Sequence, residues 1–449
     1  MKQTLLLFAG LLLGTCALAQ PGNRIYRTEV IPYDTRHDAE ARARAKSGHT
    51  IDFRPEVRIA AEGPLRAIVG QTVEIPYVWT DGCTYLHLEN MQTAGQLWVN
   101  DRLVAELTDA LTPAEFDLSD YIRQGENDFK LTLLSDRGAL DAQQAAVSAK
   151  PFENSYLYYQ EKRSVREFET ALVPDTLGRD FAMLDLKIIA QNQFNYEEPV
   201  TVGYDIYSPQ GKLLDFNVFE TRIAGRSVDT LRFQPFIYHA YENKWQPRTV
   251  KLRTGTAIQN PPLYKVMLFT KRDGAYREYM PLTVGFGRPE FADGRFVQFG
   301  APVQLKETRY NALPDDAKTT RTQLTALRKE GFNTICPDHP QPAWFYALCD
   351  ELGLWVIDRA NIEAPERRDD RSVGGTPSND PSLAAEYLER VQAMYYRSRN
   401  FTCVIGYELA SPSGNGYNLY KAYEWLKSVE PQRPVRYADA GGEWNSDDF

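Results

Sequence analysis

Hydrophobic and polar positions alternate in short runs over the first two thirds of the chain, then give way to longer spacings. Residues 67–140 carry short alternating runs broken by turn residues, the pattern of antiparallel strands in a sandwich. A second all-β stretch spans roughly residues 165–289, where 183–189 and 200–207 alternate as half-buried strands do and Ser-Pro-Gln-Gly at 208–211 makes a turn. The polar segment 23–64 before them reads as a lead-in lying on the surface, with a short helix expected over Ala-Arg-Ala-Arg-Ala-Lys at 41–46. After Phe296 the period changes. Helices are expected over 319–330, 342–352, 383–397 and 419–429, and strands over 333–336, 354–358, 404–409 and 433–437, the last counted as a fifth strand. Strands alternating with helices imply a parallel sheet. A closed eight-unit barrel takes about 250 residues, so the portion after Phe296 carries little more than half of one. Either a C-terminal half is missing, or an open half-barrel shields its edges with another chain or with its own β domains.

The 449 residues suggest roughly three domains. A net charge of -9 with no clustered Lys or Arg argues against a nucleic-acid partner. Residues 1–19 have the charged, apolar and small-residue parts of a secretory signal, with cleavage expected before Gln20. The expected location is therefore the periplasm or outer membrane. A lipid anchor on Cys16 is the lesser alternative, because Thr15 is bulkier than the residues such a site resembles. No later segment reaches about 18 apolar residues, so no transmembrane segment is expected. Cys83, Cys336, Cys349 and Cys403 are too irregularly spaced for a disulfide framework or a zinc signature, and read as buried free thiols.

The run from Arg397 to Asn418 resembles the glycoside hydrolase family 2 stretch RxxNHPSIxxWSLGNESGxGxN: Asn400, Val404, Ile405, Leu409, Gly414, Gly416 and Asn418 match. Residues 94–128 resemble the family's sugar-binding jelly roll, with Asp101 in place of the turn glycine and Gly125 and Asn127 keeping the second turn. Trp245-Gln-Pro247, Pro262-Leu-Tyr264 and Gly285-Phe-Gly-Arg288 resemble landmarks of its immunoglobulin-like domain, with an inserted loop or hairpin expected over 249–260. The resemblance implies a multidomain β plus α/β fold. Its parts are a lead-in (20–66), a jelly-roll sugar-binding-like β-sandwich (67–164), an immunoglobulin-like β-sandwich (165–290) and a partial (β/α) TIM-type barrel (291–449).

Family members hydrolyse glycosides with two carboxyl groups, one giving a proton to the leaving oxygen and one attacking carbon. By resemblance the acid/base glutamate belongs at position 412, at the end of the fourth strand, and the nucleophile at the end of the seventh. Position 412 is proline, which can neither give nor accept a proton, and the sequence does not reach a seventh strand. No catalytic residue is therefore expected, Glu408 being the one weak substitute candidate. Glu408 otherwise reads as a polar residue paired with Arg359 or Arg397. Asn333-Thr-Ile-Cys-Pro-Asp-His339 keeps the family's histidine, while Cys336 and Asp338 replace its arginine and serine. Leu354–Glu363 resembles the β-galactosidase run GLxVxDEANIE, with Arg359 reversing a charge. Of the magnesium ligands that the resemblance implies, Glu363 matches, while Pro365 and Pro412 replace the other two. No metal and no cofactor are expected. Ligand-binding candidates are His339, Asp338, Glu363, Trp344 and Asn418.

Framework positions such as Trp344, Asp350, Gly353, Asp358, Asn400, Arg433 and Pro434 persist while proton and metal positions change. The expectation is a non-catalytic exported relative that serves as a carbohydrate-binding or envelope-complex subunit, its partner a glycan or an outer-membrane or periplasmic protein complex. The alternative is an active β-galactosidase-like hydrolase that uses substitute carboxylates or a partner chain.

Overall fold

A computed structural model describes residues 23–60, 65–135, 138–141, 150–175, 179–252, 255–313, 316–447 and 449. The expected secretory signal and Cys16 lie outside these residues.

The first sandwich packs two five-stranded antiparallel sheets. In order across each sheet, the strands are Arg24–Ile25, Ala114–Asp117, Cys83–Leu88, Tyr156–Gln160 and Thr50–Asp52 in one, and Glu56–Ala60, Leu65–Ile75, Gly125–Leu134, Gly95–Val99 and Arg102–Leu107 in the other. Alternate side chains of Gly125–Leu134 turn inward, placing Phe129 and Leu131 against Leu97, Val99, Leu86 and Phe116. The turn before Arg102 has both Asn100 (φ 51°) and Asp101 (φ 59°) in the left-handed region, so aspartate does here what glycine does in the family pattern. Asn127 stitches this turn to the next: it accepts from the Asn100 side chain at 2.8 Å and donates to the Arg123 and Gly125 carbonyls.

The polar lead-in is more than a surface cover, because Arg24–Ile25 and Thr50–Asp52 are strands of the sandwich. Its helix is Arg36–Glu40 rather than 41–46. Thr35 caps the start by accepting from the Asp38 amide, and Arg42 at φ 49° breaks the run, leaving only a 3-10 turn at Arg44–Lys46.

The second sandwich sets Arg163–Pro174, Phe181–Asn192 and Ser227–Phe233 against Leu213–Ile223, Glu198–Tyr207, Tyr264–Arg272 and Ala275–Val284. Leu184, Leu186, Ile188, Val202, Ile206 and Leu268 form its core. The expected insertion is a hairpin of Arg248–Leu252 and Gly255–Gln259.

The last unit is a parallel sheet in sequential order: β1 (Glu307–Tyr310), β2 (Thr334–Pro337), β3 (Trp355–Arg359), β4 (Val404–Glu408) and β5 (Val435–Arg436). Helices α1 (Ala317–Lys329), α2 (Ala343–Leu352), α3 (Ala384–Ser398) and α4 (Tyr417–Val429) connect or follow the strands. Asp316 caps α1 by accepting from the Thr319 amide, and Gly353 ends α2 at φ 67°. The two β-sandwiches and this βα sheet make the chain a multidomain protein whose last part is a partial TIM-type barrel.

The retained framework residues hold these units together. Asp350 accepts from the Cys403 amide at 2.6 Å, and the Asp350 carbonyl accepts from the Trp245 indole at 2.9 Å. Asp358 accepts from Tyr346 and Arg397, while Asn400 bonds the backbone of Phe168 and Thr170 in the second sandwich. Arg390 on α3 is 1% exposed and reaches into the first sandwich, donating to Asp141 (2.5 Å) and to the Thr108 carbonyl (2.9 Å).

Removing one partner of such a buried pair leaves the other charged and unanswered, at a cost of about 3–5 kcal/mol. Arg390→Ala is expected to lower unfolding free energy by about that amount, measured by urea denaturation. A second test uses Glu278, which is fully buried between the sandwiches. Burial pushes its carboxyl up to about 8, against the donation of the Glu161 amide. A raised carboxyl contributes stability below its ordinary value near 4.5, and that contribution is lost as pH climbs through about 8. Glu278→Gln should flatten the pH dependence between 5 and 8, giving a variant more stable than the parent by about 3–5 kcal/mol in melts near pH 9.

Candidate functional site

Successive residues of a strand face opposite ways, so the parallel sheet has one face toward its helices and one toward the barrel axis. Asp358 and Tyr407 point to the helices, where they meet Arg397 and Arg433. Their neighbours Arg359 and Glu408, paired across β3 and β4, point the other way with Glu307, Arg309, Cys336, Asp338 and Arg436. This axial face is charged.

Arg309 is its centre. It donates to Asp338 at 2.7–2.8 Å and to Glu408 at 2.9 Å, so one guanidinium sits between the two carboxylates. Burial pulls Arg309 down, but Glu408 and Asp338 together raise it further above its ordinary value. Arg359 donates to the Asp338 carbonyl and lies 3.6 Å from its carboxylate; burial, and then Arg309 beside it, lower its pKa. Arg436 bonds Glu307 at 2.9 Å and approaches Glu408 at 3.9 Å. Burial pushes the Cys336 thiol up to about 12, leaving it no nucleophile at neutral pH.

Glu408 thus pairs with Arg309 and Arg436, not with Arg359 or Arg397 as expected. Arg397 lies on the helix side of the sheet, and β1, which brings Arg309, went unrecognised. Its four residues Glu-Thr-Arg-Tyr lack an apolar run, and the available signal was the alternation of Glu307 and Arg309 themselves.

The loop after β4 carries Pro412, which is exposed. Its neighbours are tied down: the Ser411 amide donates to the Ile362 carbonyl, the Ser413 hydroxyl accepts from the Ala364 amide, and Tyr437 donates to the Gly414 carbonyl. Gly414 is at φ 71°, and a Cβ there would lie 2.5 Å from Thr376 Oγ1. Glu363 is half-buried and accepts from the Ser411 hydroxyl at 3.2 Å, beside exposed Pro365.

His339 is half-buried, and its carbonyl accepts from Gln341. Trp344 packs partly buried against the barrel core with its indole nitrogen enclosed. Asn418 turns inward, spending its amide on the Pro377 and Asp380 carbonyls, so it serves the loop before α3 rather than an open cleft. Asp338, Glu408 and Glu363 are therefore the candidates at the strand ends, and three guanidiniums surround the first two. Such a surface can hydrogen-bond hydroxyls and carboxylates of a ligand. Asp338 and Glu408 are each paired with a guanidinium, whereas Glu363 meets only the Ser411 hydroxyl.

Two family models match the chain: the sugar binding domain of glycosyl hydrolases family 2 over residues 50–145, and the TIM barrel domain of the same family over residues 315–448. The chain is 28% identical to a β-galactosidase of Vibrio cholerae over 376 residues, covering 79% of this chain and 34% of that protein. It is 27% identical to a β-galactosidase of Pectobacterium atrosepticum over 395 residues, covering 84% and 36%. The chain spans about a third of the length of these curated relatives. A solved glycosyl hydrolase family 2 member from Bacteroides cellulosilyticus superposes with a TM-score of 0.66 at 17% identity, over 84% of this chain and 50% of that one, a likeness of fold.

Proposed function

Because the chain belongs to glycoside hydrolase family 2 through its sugar-binding and partial barrel domains, we propose that it is a non-catalytic, exported relative acting as a carbohydrate-binding or envelope-complex subunit. The observation that carries this reading is the end of β4: Pro412 stands where the family resemblance puts the acid/base glutamate, and the nearest carboxylate on the strand, Glu408, is bound to Arg309. General acid catalysis needs a protonated group within hydrogen-bond reach of the leaving oxygen, and proline supplies none. The framework residues that match the family pattern support the same reading, since Asp350, Asp358, Asn400 and Arg433 are all engaged in holding the fold. The match of the first sandwich to a sugar binding domain supports glycan recognition. Three guanidiniums at the strand ends suit a ligand rich in hydroxyl or carboxylate oxygens. Export rests on the leader-like residues 1–19.

The competing reading, hydrolysis through Asp338 and Glu408, draws on their position about one guanidinium at the barrel axis. It requires Arg309 to withdraw so that one carboxyl can hold a proton. The purified chain is expected to release no nitrophenol from β-galactoside, β-glucuronide or β-mannoside substrates above a buffer blank. Turnover that disappears in Glu408→Gln would sink the non-catalytic reading. A glycan array run beside a pull-down from native membranes separates a sugar ligand from a protein partner.

A further inference from the structure

The first sandwich holds a second polar cluster, remote from the barrel axis and not used there. Glu29, from the segment after the strand Arg24–Ile25, meets His87 and Glu89 at the end of Cys83–Leu88. One ligand atom from each lies within 4.8 Å of the others. His87 Nε2 is 3.1 Å from Glu89 Oε1 and 3.8 Å from Glu29 Oε1. Four-coordinate zinc with bonds of about 2.0–2.1 Å holds its ligand atoms roughly 3.3 Å apart, a spacing between those two distances.

The surroundings fix the three side chains and answer their charge only in part. Tyr156 stacks on the His87 ring at 4.9 Å and donates to Glu29 Oε1 at 2.7 Å. Arg27, a buried guanidinium of the same cleft, is bound to Glu115 at 2.6 Å, and Arg44, stacked over Tyr156, reaches Glu89 through its charge and makes no hydrogen bond to it. Glu89 is 5% exposed, and its Oε2 is buried without a hydrogen-bond donor. An unanswered carboxylate oxygen in such a place costs about 1–3 kcal/mol or more. A proton on His87 would meet Oε1 of both glutamates and still leave this oxygen alone. A cation would not, because a metal-bound carboxylate can present both oxygens. Entry is open: Glu29 and His87 line a cleft between the sandwich and α3 that also includes Arg24, Tyr26 and Tyr396.

We propose that Glu29, His87 and Glu89 form a binding site for a divalent first-row transition cation of the zinc class, with water from the cleft completing its coordination. One imidazole nitrogen with two carboxylates is a donor set that suits zinc better than magnesium or calcium, which take oxygen ligands. On binding, the cation takes the place of any proton on Nε2, and that proton passes to solvent. The site ties the segment before Arg36–Glu40 to the sheet, so its occupation stabilises the first sandwich.

The test uses the untagged full chain stripped with chelator, titrated calorimetrically with zinc chloride and followed by metal analysis and thermal melts. The expected result is one zinc per chain, a melting temperature that rises with zinc concentration, and about 100-fold weaker binding in both Glu29→Gln and Glu89→Gln. Glu29 is only half-buried, so Glu29→Gln keeps the test decisive should Glu89→Gln fail to fold. No zinc uptake by the parent chain, which leaves His87 simply an imidazolium between two glutamates, overturns the proposal. Uptake that is unchanged in the folded Glu29→Gln variant, which marks binding elsewhere on the surface, overturns it equally.

Discussion

A single buried guanidinium, Arg390, sets the geometry on which the barrel end depends. It joins Asp141 of the first sandwich to the carbonyl of Asn361 in the loop after β3, and the Asn361 side chain reaches back to Asp109 and Asp141, each at 2.7 Å. The next residues of that loop are held in turn: the Glu363 amide donates to the Leu140 carbonyl, and the Ile362 carbonyl accepts from Ser411. The sugar-binding-like sandwich therefore positions the loop after β3, which positions the loop after β4, which carries Pro412. A sandwich in this role braces the barrel whether or not it also holds a glycan. Arg399, bonded to Glu167 and Glu169, does the same between α3 and the second sandwich. A buried ion pair adds little net stability against a hydrophobic replacement, but it is costly to break; here its effect is to fix how domains sit.

At the axial face the same residue types behave differently because water reaches them. Arg309 is 43% exposed at its side chain, against 1% for Arg390. Pairs at such exposure contribute about 0–1 kcal/mol, so the face is not there for stability. Its organisation is a fixed arrangement of donors and acceptors, with each carboxylate answered by a guanidinium. A glycosidase instead keeps one carboxyl protonated by setting it in apolar or like-charged surroundings. The positive environment around Asp338 and Glu408 works against that condition.

Much of the fold was legible because local pattern and tertiary packing agree. The alternation over 183–189 and the helical spacing over 383–397 each correspond to a face that is buried, in Phe181–Asn192 and in α3. The turn at Asp101 and the insertion over 249–260, expected as a loop or hairpin, could be placed from the resemblance to the family's motifs. What escaped was decided by contacts far apart in sequence. β1 is short and polar, and only its register against β2 makes it a strand. Arg309 and Glu408 are 99 residues apart, and no spacing rule pairs them. Asn418 fits the family motif, but its inward turn follows from the Pro377 and Asp380 carbonyls, which only the folded loop brings near. The cluster of Glu29 with His87 and Glu89 is invisible for the same reason, since a segment of the lead-in must first lie against the sheet.

Fold and chemistry separate cleanly at position 412. A proline costs stability where its missing amide would have donated, or where its ring meets the preceding turn. In the loop after β4 the hydrogen bonds fall on either side: the Ser411 amide is used by Ile362 and the Ser413 amide by Tyr437, while residue 412 itself faces solvent. The side chain at that position can change without disturbing Gly414, Tyr437 or the ties to the loop after β3. The residues that join the units have no such freedom, because each of Arg390, Arg397 and Arg433 is buried and bonded to a second structural unit or layer. Positions that hold the domains together are therefore constrained by burial, whereas position 412, exposed and between its hydrogen-bonded neighbours, is not.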